Sequence, residues 1–266
     1  MTMKPIENAD FGKTAGDYAI HRAGFPNSLF KKLALDWDIG IRNQLIVDVG
    51  TGTGTLARGF ASRGAHAGVK VIGIDPASDM LDAARMLAHE DGTVVEFRAG
   101  TAEDTGLKAN TVDIVTAGQC WHWFEPKASL AEIQRILKPG ATLLIAYFDW
   151  IPLSGNIVRL TEKLIEHHNR QWKGGNQYGI HPRIFRQLGE AGFINLESFT
   201  YDEPAIYTHL GWRGRVRASA GIGASLTQGE VAEFDRELTS LLTQHFPGES
   251  LSVPHRIFAL KGSAPL

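Results

Sequence analysis

The sequence predicts an α/β fold: a mostly parallel sheet with helices on both faces. Two observations carry that expectation. Between Leu45 and Phe148 short apolar runs alternate with amphipathic stretches, the rhythm of βαβ units. The chain also has 266 residues and a 43% hydrophobic fraction, enough for one large core with a lid-like insertion.

Taken in order, Pro26 followed by Leu29, Phe30, Leu33 and Leu35 predicts an amphipathic helix. "LIVDVG" is a first strand, and "TLARGFASRG" a helix closed by Gly64. "VKVIGID" is a second strand, followed by "SDMLDAARMLAHE", a helix with Ser78 as its N-cap. "TVVEFRAG" and "TVDIVTAG" are the third and fourth strands. "ASLAEIQRILKPG" is a helix stopped by Pro139 and Gly140, and "ATLLIAYF" a fifth strand. After Trp150 the rhythm breaks. A helix and a Gly-rich loop ("SGNIVRLTEKLIEHHNRQWKGGNQYG") lead to a helix ("PRIFRQLGEAG") and a strand ("INLESFTY"). An Arg-rich polar segment follows, then a last helix ("GEVAEFDRELTSLLTQHF") and strand ("SVPHRIFALKG"). The late strands complete the sheet, and the helical insertions stand above one edge.

The bulk numbers narrow the function. A formal net charge of -2 supplies no basic field for nucleic acid or anionic lipid. One cysteine, Cys120, excludes an internal disulfide and fits a reducing cytoplasm. "MTMKPIENAD" has no apolar signal core, and no apolar run is long enough to span a bilayer. A cytoplasmic chain without a membrane partner is expected.

The chemistry is concentrated in "VDVGTGTGTLA", where Gly50, Gly52 and Gly54 alternate at a strand-to-helix turn. Such a turn lets the backbone approach a nucleotide-like cofactor at the carboxyl edge of a parallel sheet. The dinucleotide pattern G-x-G-x-x-G fails, because Thr55 stands where its third glycine belongs. Asp48 would repel a pyrophosphate and welcome a cation. Asp75, at the end of the second strand, is placed for ribose hydroxyls, a contact that NAD proteins share.

Asp48-x-Gly50-x-Gly52-x-Gly54, then "GID" with Asp75, then "GTAEDTGL", resembles the class I S-adenosylmethionine-dependent methyltransferases. The chain is similar to the methyltransferase type 11 branch, near the trans-aconitate methyltransferase-like proteins. "DYAIHRAGFP", "WHWF", "ILKPGATLLI" and "VPHRIFAL" extend the likeness over nearly the whole chain. The resemblance implies a Rossmann-like, mostly parallel seven-stranded sheet in a single domain over 1–266. Its parts would be an N-terminal helical segment (1–40), a cofactor-binding core (41–150), a partly inserted helical lid (151–225), and a C-terminal helix and strand (226–266). S-adenosylmethionine is the implied cofactor and S-adenosylhomocysteine the product. Gly50, Thr51 and Gly52 would line the methionine and ribose portion, and Asp48 would face the methionyl ammonium. Asp75 and Pro76 would border the ribose. Met80 would pack on the adenine or else serve the core. Ala102 and Glu103 would read the adenine edge, although Thr101 replaces the aspartate of many relatives. Gln119 would complete the cofactor site.

The acceptor belongs beside the end of the fourth strand, where "GQCWHWFEP" falls. His122 is a base or a structural histidine. Trp121 and Trp123 are a substrate platform or core. Cys120 follows Gln119 rather than proline, so it reads as a small buried thiol. Tyr18 and Arg22 belong to a segment that folds over the cofactor in relatives. Trp150 ends the fifth strand, and Trp172 and Trp212 would close an aromatic lid or cap the core. Arg213 and Arg217, with Arg215 between them, form a solvated face or a grip for an acceptor carboxylate. His167 and His168 are adjacent on a helix and make a poor metal pair, and no metal is expected. The expected activity is methyl transfer to a small molecule. The alternatives are a non-catalytic S-adenosylmethionine-binding protein and an NAD(P)-dependent oxidoreductase.

Overall fold

The computed structural model describes residues 24–266, so Tyr18 and Arg22 lie outside the described residues. In chain order the elements are α1 (Asn27–Trp37), β1 (Leu45–Val49), α2 (Thr55–Gly64), β2 (Lys70–Asp75), α3 (Ser78–Glu90), β3 (Glu96–Ala99) and β4 (Val112–Gly118). They continue with α4 (Pro126–Ile136), β5 (Leu137–Trp150), α5 (Ile157–His168), α6 (Pro182–Glu190), β6 (Ile194–Asp202) and β7 (Ala205–Thr208). The last are α7 (His209–Arg217), α8 (Gln228–His245), β8 (Ser250–Val253) and β9 (His255–Ser263). The described residues form two compact units: 24–147, 181–200 and 258–266 in one, and 148–180 and 201–257 in the other.

The first unit carries the sheet core. Seven strands run in the order β3-β2-β1-β4-β5-β9-β6. The pairs β1/β2, β1/β4, β2/β3 and β4/β5 are parallel. The chain winds outward from β1 through β2 to β3, then returns to the other side of β1 with β4. That reversal leaves a crevice outside the carboxyl ends of β1 and β4, the place where open α/β sheets bind ligands. Val47, Val49, Val115 and Ile145 are among its fully buried residues, as strands covered on both faces require. Helix α1 buries Leu29, Phe30 and Leu33. Phe30 meets Phe60 edge-on at 5.1 Å, and its ring occupies the space that a side chain at Gly59 would need.

Local signals err at two helix ends. Ser78 is the first residue of α3, and Ala77 is its cap; the Ala77 N–H is taken by Asp75 Oδ1 at 3.0 Å. Helix α4 ends at Ile136, before Pro139 and Gly140, because β5 already begins at Leu137.

In the second unit, β7 and β8 form an antiparallel ribbon beside helices α5, α7 and α8. Trp212, Phe234, Leu238 and Leu242 are fully buried there. Among the described residues no helix is long and apolar enough to cross a membrane.

Candidate active site

The turn after β1 is built from three glycines with positive φ: 63° at Gly50, 53° at Gly52 and 77° at Gly54. Thr51 N–H donates to the Ile74 carbonyl at 2.9 Å, and Gly54 N–H donates to the Thr51 carbonyl at 2.8 Å. Gly50 and Gly52 differ in what surrounds them. A Cβ on Gly50 would stand 2.9 Å from both Cys120 Sγ and Phe124 Cζ, so the chain passes there because no side chain is present. A Cβ on Gly52 would meet nothing within 4 Å. Gly52 therefore presents bare backbone to open space, a cradle that a side chain would fill.

Two carboxylates back this turn. Asp48 is 1% exposed and accepts the Thr51 and Thr116 hydroxyls, each at 2.7 Å. Burial pushes its pKa up to about 6; the two hydroxyls oppose the rise, and the charge on Asp75 adds to it. Asp75 closes the loop by accepting Gly52 N–H at 2.8 Å as well as Ala77 N–H. Burial holds it above the usual carboxylate range, against the pull of those two N–H groups. Two desolvated acids at a glycine turn favour a ligand that brings positive charge. Arg58, the first cation after the turn, pairs with Asp91 and donates to the Thr53 carbonyl. This donor set fits a sulfonium and ammonium cofactor better than a pyrophosphate.

The remaining expected cofactor residues divide. Thr51 is buried and Pro76 exposed beside Asp75. Met80 is 5% exposed among the core side chains. Ala102 is buried. The Glu103 carboxylate, expected at the adenine edge, instead accepts Glu125 N–H at 3.0 Å and Ser129 Oγ at 2.9 Å, at the start of α4. Burial would raise its pKa, but these donors lower it. Gln119 has a φ of 58° and donates its N–H to the Ala146 carbonyl at 2.9 Å, where β4 leaves the sheet. A left-handed non-glycine residue at a strand mouth is a strained position of the kind that gathers at sites.

Beyond Gln119 the aromatic cluster separates by role. The Cys120 thiol donates to the Val49 carbonyl at 3.2 Å. Trp121 is 3% exposed, and its Nε1–H donates to Gln187 Oε1 at 2.9 Å, which favours the core over the platform among its two readings. Trp123 is half-buried and His122 exposed. His122 Nδ1 lies 3.4 Å from the Tyr147 hydroxyl. His181 stacks on the Tyr147 ring with centroids 3.8 Å apart. Tyr147, His181 and Thr116 escaped the sequence reading. Thr116 had a signal, as a lone polar residue in an apolar strand; Tyr147 and His181 had none, since they meet only in the fold.

The candidates in the second unit are structural where their contacts are visible. Arg213 grips Asp235 through Nε at 3.0 Å and through Nη2, and Arg217 Nη1 reaches the same carboxylate at 2.8 Å. These arginines thus grip a carboxylate of the protein itself, tying α7 to α8. Trp212 is fully buried, with Nε1–H donating to Thr161 Oγ1 at 3.1 Å, and so caps the core. Trp150 donates Nε1–H to Glu162 at 3.1 Å, with the Arg215 guanidinium 4.8 Å above its ring. Trp172 is half-buried against Gly174, Gly175 and Gly221. Among the described residues no three His, Cys, Asp or Glu side chains are grouped to hold a metal ion.

Comparison with known proteins agrees with this geometry. Residues 47–145 match the family described as "Methyltransferase domain". An uncharacterized methyltransferase of Mycobacterium tuberculosis is 30% identical over 154 residues, covering 56% of this chain and 58% of that protein. The matched stretch thus spans little more than half of that relative. A ubiquinone biosynthesis O-methyltransferase of Hahella chejuensis is 33% identical over 165 residues, covering 57% of this chain and 67% of that one. Among solved structures, a proposed type II methyltransferase from Anaeromyxobacter dehalogenans shares the fold, with a TM-score of 0.65, 21% identity, and coverage of 92% of this chain and 98% of that one. Kinship at this level, joined to a glycine turn backed by two acids at the sheet's reversal, leads to one conclusion: the chain belongs to the class I S-adenosylmethionine-dependent methyltransferases.

Proposed function

We propose that this chain transfers the methyl group of S-adenosylmethionine to a small-molecule acceptor. One observation carries the reading: the open backbone at Gly52 donates to Asp75 and adjoins Thr51, whose hydroxyl binds Asp48, and a cationic cofactor would relieve both buried acids of their unfavourable burial. Asp48 would answer the ammonium, and Asp75 the ribose hydroxyls, from lone pairs that Gly52 and Ala77 leave unused. When bound, the cofactor supplies an electrophilic methyl carbon on a sulfonium. The chain's own task is then to position an acceptor beside the mouth of β4.

A small molecule suits the charge balance. At a net charge of -2 there is no field to gather a nucleic acid. The Hahella relative carries the name of an O-methyltransferase of ubiquinone biosynthesis, which favours the same class of acceptor.

Calorimetry with S-adenosylhomocysteine and with NADH tests the cofactor, and NADH binding alone would overturn the proposal. Methyl-labelled cofactor incubated with a metabolite extract tests the reaction. Cofactor binding without transfer to any metabolite would favour a non-catalytic binder, and transfer to bulk tRNA or DNA would move the acceptor to another class.

A further inference from the structure

We propose that Tyr147 positions His122 as a proton acceptor, so that the acceptor methylated here is a hydroxyl compound of the phenol or enol class. The inference rests on the methyl-transfer reading. His122 stands exposed on the short turn Trp121–Trp123, two residues beyond the point where Cys120 closes on Gly50. The far side of its ring faces a prepared partner. Tyr147 is 4% exposed near the end of β5, and its hydroxyl lies 3.4 Å from His122 Nδ1. His181 stacks on the Tyr147 ring at an interplanar angle of 22°, and Phe258 meets His181 edge-on at 5.2 Å. The tyrosine is therefore held on its face and cannot follow the imidazole if that ring turns. Trp123 lies 4.9 Å from the His122 ring and limits its rotation.

In the tautomer that this role requires, Nδ1 carries the proton and donates it to the phenolic oxygen, which leaves the lone pair on Nε2. Carboxylate and thiolate acceptors are already anions and need no such group; a hydroxyl acceptor does. The acceptor O–H proton passes to His122 Nε2. The oxygen's electron pair forms the new bond to the methyl carbon, and the carbon–sulfur pair remains on sulfur, cancelling the sulfonium charge. The imidazolium then returns its proton to water. Tyr147 transfers no proton. Its oxygen takes the Nδ1–H bond, which strengthens when the ring becomes charged.

Imidazole NMR titration of the ligand-free protein tests the positioning role. Tyr147→Phe keeps the ring that His181 stacks on and removes only the oxygen. The His122 midpoint is expected to fall by roughly 0.3–1 pH unit, because the imidazolium loses its acceptor. Methyl-labelled cofactor with a metabolite extract tests the acceptor class. The expected product is an alkali-stable methyl ether, formed about 100-fold more slowly by His122→Gln at unchanged S-adenosylhomocysteine affinity. A midpoint unmoved by Tyr147→Phe, an alkali-labile methyl ester, a methylamine, or undiminished turnover in His122→Gln overturns the inference. Failure of the wild type to bind S-adenosylhomocysteine overturns the methyl-transfer reading itself, a separate result.

Discussion

At the scale of single residues, Asp48 sets the tension of the glycine turn. Its pKa is raised, so the folded protein holds that proton more tightly than the unfolded chain does. Stability of the ligand-free protein is expected to fall as pH climbs from the ordinary aspartate range through about 6, where Asp48 becomes charged in the fold. Asp48→Asn should then stabilise the ligand-free protein at pH 7 by up to about 3 kcal/mol, while weakening S-adenosylhomocysteine binding at least about tenfold. Denaturant melts at pH 4 and pH 7, with calorimetry at pH 7, check both halves. Gly50 and Gly52 offer a second contrast. Gly50→Ala drives a Cβ against Cys120 and Phe124 at a φ of 63°, and should cost about 2–4 kcal/mol. Gly52→Ala meets open space, so it should cost only about 1 kcal/mol of backbone strain, yet it should still abolish cofactor binding. Equal melting temperatures for the two variants would contradict this geometry.

At the scale of elements, Glu132 on α4 shows how the loop after β3 is held. Its carboxylate accepts Thr105 N–H at 2.9 Å and the Thr105 hydroxyl at 2.5 Å, and it pairs with Arg135. Burial alone would raise its pKa, but these donors hold it at about 2. A depressed carboxylate contributes stability above its unfolded pKa and loses it as pH falls through the folded one. Glu132→Gln should therefore cost about 1–3 kcal/mol at pH 7 and progressively less toward pH 2, as acid melts would show. Elements of this kind were largely legible in advance. Apolar runs and glycine stops located β1, α2, β2 and β4 because local period and burial agree there. The end of α4 was not legible. Its stop at Ile136 reflects partners outside the helix: Leu137 aligns with Val112 of β4, and Asn110 and Thr111 donate their N–H groups to the Arg135 and Ile136 carbonyls. The site divides in the same way. Asp48, the glycines and Asp75 sit in one contiguous pattern and could be read. The fates of Trp121 and Arg213 depended on Gln187 and Asp235, which no nearby residue announces.

At the scale of the whole molecule, Asp235 and its arginines lie in one unit and the glycine turn in the other. Asp235 is 18% exposed and answers two arginines, and burial of its charge is offset by Arg213 and Arg217. Asp235→Ala removes the carboxylate that both guanidinium groups share, at a cost of about 2–4 kcal/mol. If the glycine turn of the other unit holds the cofactor as proposed, S-adenosylhomocysteine affinity should not change; a parallel loss would show that the arginines serve the ligand after all. Cys120 has a practical consequence. It is the only thiol in the chain, it is buried, and it lies where a Gly50 side chain would have to go. Its rate of alkylation is therefore a clock for the opening of the turn, read without any substitution or label. S-adenosylhomocysteine should slow that clock at concentrations that match its dissociation constant, so that occupancy of the cradle can be followed by mass spectrometry alone.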